Sequence, residues 1–215
     1  DYNLLGDHYI DDLKNIPTDY SNPVVRIENR CVKCMRCIQI CDKVQSLSIW
    51  DLAGTGSRTT VDVSGNRTLE MSARWEKDCL ALKPDLLSVL IGINDTWRRY
   101  DSSDPTSVED YYARLTAMLR AAKEANPELK ILLIEPFLIP ADPNKAVFRE
   151  DLNPKILANR QAAMELADAY LPMDGIFAAA CLHREPAFWS ADGVHPTPAG
   201  HALMAEKWIE LALRD

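Results

Sequence analysis

Asp192 and His195 stand three residues apart in Asp192-Gly193-Val194-His195-Pro196. That spacing lets a carboxylate hold one ring nitrogen of the histidine and leave the other aimed outward as a general base. Asn94, in Gly92-Ile93-Asn94-Asp95, offers a side-chain amide that could stabilise a developing oxyanion. Ser64-Gly65-Asn66 is a flexible turn, and the backbone amide of Gly65 is a candidate second donor. A different chemistry is written in Cys31, Cys34, Cys37 and Cys41. Disulfide frameworks spread their cysteines to close loops, and cysteines three apart seldom pair. The cluster therefore reads as metal binding in a reducing compartment.

The elements that must position these groups fall into two dialects that meet near residue 64. Residues 1–63 are rich in polar turns, with short β-like runs at Val24-Val25-Arg26-Ile27 and Thr59-Thr60-Val61-Asp62-Val63. From Ser64 onward, apolar runs alternate with amphipathic segments. The run from Leu86 to Ile91 predicts a buried parallel strand, and Ile131 to Ile134 a second. Tyr111, Leu115, Met118, Leu119 and Ala122 fall at helical spacing between Val108 and Ala125, and Asn126-Pro127 stops that helix. A further helix is expected from Pro154 to Tyr170, a strand and turn at Pro172-Met173-Asp174-Gly175, and a closing helix from Pro198 to Leu213. This is the grammar of an α/β fold with a parallel sheet covered on both faces. In such folds, functional groups sit on loops at the carboxyl ends of strands, where Asn94 and the Asp192–His195 loop fall. Cys79, Cys181, His183 and His201 read as ordinary core or surface residues. Arg98-Arg99 reads as part of a solvated loop, with contact to an anionic substrate as its functional alternative.

Over residues 64–215 these spellings resemble the SGNH (GDSL-like) hydrolase family. The resemblance implies a three-layer α/β/α domain and ester hydrolysis through a serine acyl-enzyme without a cofactor. It implies His195 as general base, Asp192 as its orienting acid, and Asn94 and Gly65 as oxyanion donors. The stretch WEKDCLALKPDLLSVLIGINDTWRRYD looks like bacterial members acting on acylated carbohydrates or other small esters. The sequence departs from the family at its first block: no Gly-Asp-Ser triplet occurs. The nearest text, Gly6-Asp7-His8, has His where the nucleophilic Ser belongs, and Ser64 and Ser88 stand in the wrong blocks to replace it. The domain is thus expected to lack its first strand. Val24–Ile27 or Thr59–Val63 is the candidate partner for the edge of Leu86–Ile91 that this leaves open.

Residues 1–63 are similar to the ferredoxin-like region of iron-only hydrogenases. Cys31-x2-Cys34-x2-Cys37-x3-Cys41 matches the ligand run of [4Fe–4S] sites, with Asp42 where Pro usually follows and no second quartet. That resemblance implies an incomplete electron-transfer module with a redox partner. Both resemblances cover Ser64-Gly65-Asn66-Arg67-Thr68-Leu69, so a join between two segments is expected there. The rival readings are an esterase domain, an iron–sulfur module and an inert fold.

The formal net charge of −8 argues against nucleic acid or an anionic membrane as partner, since phosphate binding needs a basic footprint. No apolar run approaches the ~18 residues of a membrane span. The first ten residues, DYNLLGDHYI, contain no secretory signal, which leads to the expectation of a cytoplasmic protein.

Overall fold

Ile131, Leu132, Leu133 and Ile134 are apolar at successive positions, and a strand shows successive side chains to opposite faces. Such a strand is stable only when both faces are covered. The computed structural model, which describes residues 50–53, 60–63 and 65–212, places this run at the centre of a three-stranded parallel sheet. The chain divides into two compact units, residues 1–65 and 66–215. In the first unit, β1 (Trp50–Ala53) pairs antiparallel with β2 (Thr60–Val63), Trp50 opposite Val63 and Ala53 opposite Thr60. The second unit runs α1 (Thr68–Asp78), β3 (Leu86–Leu90), α2 (Ile93–Asp101), α3 (Val108–Ala125), β4 (Lys130–Ile134) and α4 (Phe148–Leu166). It continues with β5 (Ala169–Leu171), α5 (Met173–Ala180), α6 (Pro186–Trp189) and α7 (Pro198–Ala212).

The strand order is β3-β4-β5. Leu86 lies beside Lys130 and Leu90 beside Ile134, while Leu132 lies beside Ala169 and Ile134 beside Leu171. Ile131 and Leu133 join Trp75 of α1, Tyr111, Leu115 and Leu119 of α3, and Ala162 of α4 in one core. Leu132 and Ile134 join Leu171, Met173 and Phe177, with Leu203 and Trp208 of α7, in another. Helices thus cover both faces of the sheet. The five apolar residues expected to face inward on Val108–Ala125 are all buried. Ser107 caps that helix by accepting a hydrogen bond from the Asp110 amide at 3.0 Å.

Three expectations change. The helix expected from Pro154 begins at Phe148 and ends at Leu166, with Pro154 inside it. Phe148, Leu152 and Ile156 are buried in one cluster, and this packing outweighs the hydrogen bond that Pro154 cannot make. Tyr170 belongs to a strand, and Met173-Asp174-Gly175 opens a helix. Glu135, fully buried, accepts from the Asp174 amide at 3.0 Å and so satisfies a free donor at that helix start. The strand at Leu86 is not buried on both faces: Leu86 and Leu90 are 40% and 41% exposed. Among the described residues no strand pairs with its outer edge. Thr60–Val63 pairs with β1 instead, and Val24–Ile27 lies outside the described residues.

Candidate active site

The loop after Trp189 folds around one carboxylate. Asp192 Oδ1 accepts from the amides of Val194 (3.0 Å) and His195 (2.9 Å). The same oxygen lies 3.2 Å from Ser190 Oγ, which donates to the His195 carbonyl at 2.8 Å. This local network frees Oδ2 to face the ring, and His195 Nδ1 lies 2.8 Å from it. No described residue hydrogen-bonds to His195 Nε2, and the side chain is one-third exposed. Burial works to raise the Asp192 carboxyl. The hydrogen bonds from the His195 ring and from the His195 and Val194 amides outweigh it and hold the group well below the usual carboxylate range. It stays ionised wherever the ring must be oriented.

Gly193 makes this loop possible. Its φ is +86°, and a Cβ there would collide with the Ile139 carbonyl oxygen. In return the Ile139 amide donates to the Gly193 carbonyl at 2.8 Å, which ties the loop to the chain leaving β4.

Asn94 stands in the first turn of α2, entered through Gly92 at φ +133°. Its Nδ2 donates to the Asn66 carbonyl at 3.1 Å. An amide nitrogen carries two protons, so this bond fixes the group and leaves a second N–H to be donated. The neighbouring Asp95, fully buried, accepts from Thr68 N at 3.0 Å and Thr68 Oγ1 at 2.6 Å. Burial raises its carboxyl, a shift that the Thr68 bonds and the nearby Lys155 ammonium oppose. Tyr111 donates to the Ile91 carbonyl at 3.0 Å, and Asn159 donates to Tyr111 Oη at 2.9 Å. The end of β3 is therefore held by side chains from α3 and α4. Gly65, at φ +60°, is the last residue of the first unit.

Trp97 of α2 links the two halves of the site, its ring centroid 6.0 Å from that of His195. It also meets Phe148 edge-on at 5.8 Å, and Phe148 stacks on Tyr100 at 4.7 Å. Lys145 ends the turn Pro143–Lys145 with its ammonium 4.7 Å from the Trp97 ring centroid and 2.8 Å from the Asp192 carbonyl. Sequence reasoning singled out Asp192, His195 and Asn94 but not Ser190, Asp95 or Lys145. Ser190 had a local signal, since Ser-x-Asp-x-x-His repeats turn chemistry. Lys145 had none, because 47 residues separate it from Asp192.

Other candidates have plainer settings. Arg98 pairs with Asp101, and Arg99 with Asp151 at 3.2 Å. Ser88 Oγ accepts from Trp208 Nε1 at 2.8 Å. Cys79 is buried, which pushes its thiol up to about 11, and Cys181 is half-buried against the second core. Cys31, Cys34, Cys37, Cys41, the Gly6-Asp7-His8 string and Ser64 lie outside the described residues.

The GDSL-like Lipase/Acylhydrolase family matches residues 48–203, a span that begins ahead of the Ser64 start read from sequence. An acetylxylan esterase of Geobacillus stearothermophilus is 33% identical over 149 residues, 68% of either chain. Among solved structures, a protein described as a GDSL-like lipase from Parabacteroides merdae ATCC 43184 superposes with a TM-score of 0.66 at 31% identity. That match covers 90% of this chain and 89% of the other. Axe2, an acetylxylan esterase from G. stearothermophilus, superposes at 0.62 with 30% identity over 71% of each chain. Catalytic mutants of Axe2 replace a Ser, an Asp and a His, with that Asp and His three residues apart. None of these findings supports the ferredoxin-like reading of residues 1–63.

Proposed function

The chain belongs to the GDSL-like lipase/acylhydrolase family, and on that footing we propose that residues 66–215 carry the base and oxyanion half of a site for acyl esters on carbohydrate. The relatives named for acetylxylan and acetyl-xylooligosaccharide esterase activity make an O-acetylated xylo-oligosaccharide the first substrate to try. The observation that carries the reading is the Asp192 Oδ2–His195 Nδ1 contact of 2.8 Å, with no described residue hydrogen-bonded to Nε2. Asp192 fixes the tautomer, so that Nε2 presents a lone pair to an attacking hydroxyl. The remaining N–H of Asn94 meets the charge that develops on the carbonyl oxygen.

No Gly-Asp-Ser triplet occurs in the sequence, so the attacking hydroxyl we assign is that of water. His195 takes its proton and returns it to the leaving alcohol. Such hydrolysis is slower than a serine acyl-enzyme route, because one difficult step is not split into two easier ones. The test is turnover of p-nitrophenyl acetate and of acetylated xylo-oligosaccharide by the full chain and by His195→Ala. Loss of the base is expected to lower the rate about 10²-fold or more. Equal rates in the two proteins would sink the assignment. A serine-directed phosphonate is expected to label nothing, and a labelled Ser would replace water as the nucleophile.

A second reading concerns residues 1–63. We infer an iron–sulfur site there from the spacing of Cys31, Cys34, Cys37 and Cys41 alone.

A further inference from the structure

Lys145 touches three separate parts of the fold at one point. Its ammonium donates to the Asp192 carbonyl at 2.8 Å and lies 3.3 Å from Asp192 Oδ2. It also sits 4.7 Å from the Trp97 ring centroid, on the helix that carries Asn94. Its own turn is preset. Asp142 Oδ1 accepts from the Asn144 amide at 3.0 Å, while Asp142 Oδ2 lies 3.7 Å from the Lys145 ammonium. The side chain is 14% exposed, so the charge is held in place by partners and not by water.

The amide bonds to Asp192 Oδ1 hold the loop's own shape, but they fix neither Oδ2, which faces both the His195 ring and Lys145, nor the loop against α2. The ties between the loop and α2 are few. Val194 shares one apolar cluster with Ile93, Trp97 and Tyr100, and the Trp97 ring centroid lies 6.0 Å from that of His195, whereas the Ile139 bond to the Gly193 carbonyl ties the loop to the chain leaving β4. None of these reaches the Asp192 carboxylate. Lys145 does, and it alone among them carries a charge that both a carboxylate and an indole face attract.

We propose that Lys145 is a positioning residue that clasps the Asp192–His195 loop to α2 and so sets the distance between the base and the Asn94 donor. The inference deepens the esterase reading and rests on it for the roles of His195 and Asn94. The clasp itself is a statement about geometry and can be tested without turnover. A misplacement of about 1 Å between base and oxyanion donor costs on the order of 10²-fold in rate, which gives such a clasp a function.

The test is proton NMR of the full chain at fixed pH, with His195→Gln used to assign the His195 ring signals. Wild type is expected to show a downfield Nδ1 proton for His195, slow to exchange because Asp192 holds it. Lys145→Arg should keep that signal, because a guanidinium can bridge the same carboxylate and indole. Lys145→Met should lose it to exchange, and the carbon-bound ring protons should shift as His195 moves relative to Trp97. Lys145→Gln, shorter and uncharged, should behave as the Met variant does and covers the case in which that variant does not fold. A folded Met or Gln variant with the His195 signals of wild type would overturn the proposal. So would loss of the signal in the Arg variant while the rest of its spectrum stays that of wild type. If His195→Ala leaves ester turnover unchanged, the esterase reading falls, and the NMR comparison still decides the clasp.

Discussion

Asp192 divides its two oxygens between two tasks, one for the backbone of its own loop and one for the His195 ring. The same economy appears at the start of α1. Glu70 reaches back to accept from the Arg67 amide at 2.8 Å and from the Arg67 guanidinium at 2.6 Å. Arg67 also reaches Asp104 at 2.7 Å, so the residue after Asn66 is pinned from two sides. The Arg67 guanidinium, chiefly through its hydrogen bond, pulls the Glu70 carboxyl from 4.5 down to about 2. A depressed folded value means that the unfolded chain binds the proton more readily. The stabilisation is therefore fully present above pH 4.5 and is lost as pH falls toward 2. We expect Glu70→Gln to show a shallower loss of stability than wild type between those values. Urea midpoints measured at intervals from pH 5 to pH 2 check it, and parallel curves would mean that the pair contributes nothing to the linkage. The effect should be modest, because Glu70 is over one-third exposed and solvent screens the pair.

Among the elements, β4 and β3 have opposite settings although both read as apolar runs. β4 lies between two strands, and Ile131, Leu132 and Leu133 are almost wholly buried. β3 is bonded on one side only among the described residues. In a strand bonded on one side, alternate amides point away from the partner. Hydrogen exchange should therefore divide the amides of Leu86–Leu90 into a slow and a fast set, while those of Ile131–Ile134 are uniformly slow. Uniform protection across β3 would reveal a further strand on its edge. Periodicity made these elements legible where packing is local, as on α3, whose buried stripe and ends stand where the apolar spacing and Asn126-Pro127 put them. It failed where a tertiary partner decides. Pro154 reads as a helix start, yet Phe148 and Leu152 extend the helix into a cluster with Val194, which is distant in sequence. The site divides in the same way. Asp192 and His195 are three residues apart and could be read together, whereas Lys145 meets Asp192 only through the fold.

In the whole molecule the two chemistries read from the sequence occupy different units. The four clustered cysteines lie within residues 1–65, and Asn94, Asp192 and His195 within 66–215. Among the described residues, the apolar clusters around the sheet and the candidate site are built from the second unit. The Asp192–His195 contact and its supports draw on that unit as well, from Lys145 to Ser190. Such a site takes its geometry from its own unit, so the state of the cysteines should leave it unchanged. The iron–sulfur reading then has its own test. Full-length protein purified anaerobically is expected to contain iron and to absorb in the thiolate-to-iron charge-transfer region. Cys34→Ala should lose both signals while its ester turnover stays that of wild type. His195→Ala should lose turnover and keep the iron. Colourless, iron-free protein after anaerobic preparation would remove the cluster and leave the esterase reading standing. A Cys34→Ala variant that lost turnover along with its iron would instead show that the site depends on the first unit.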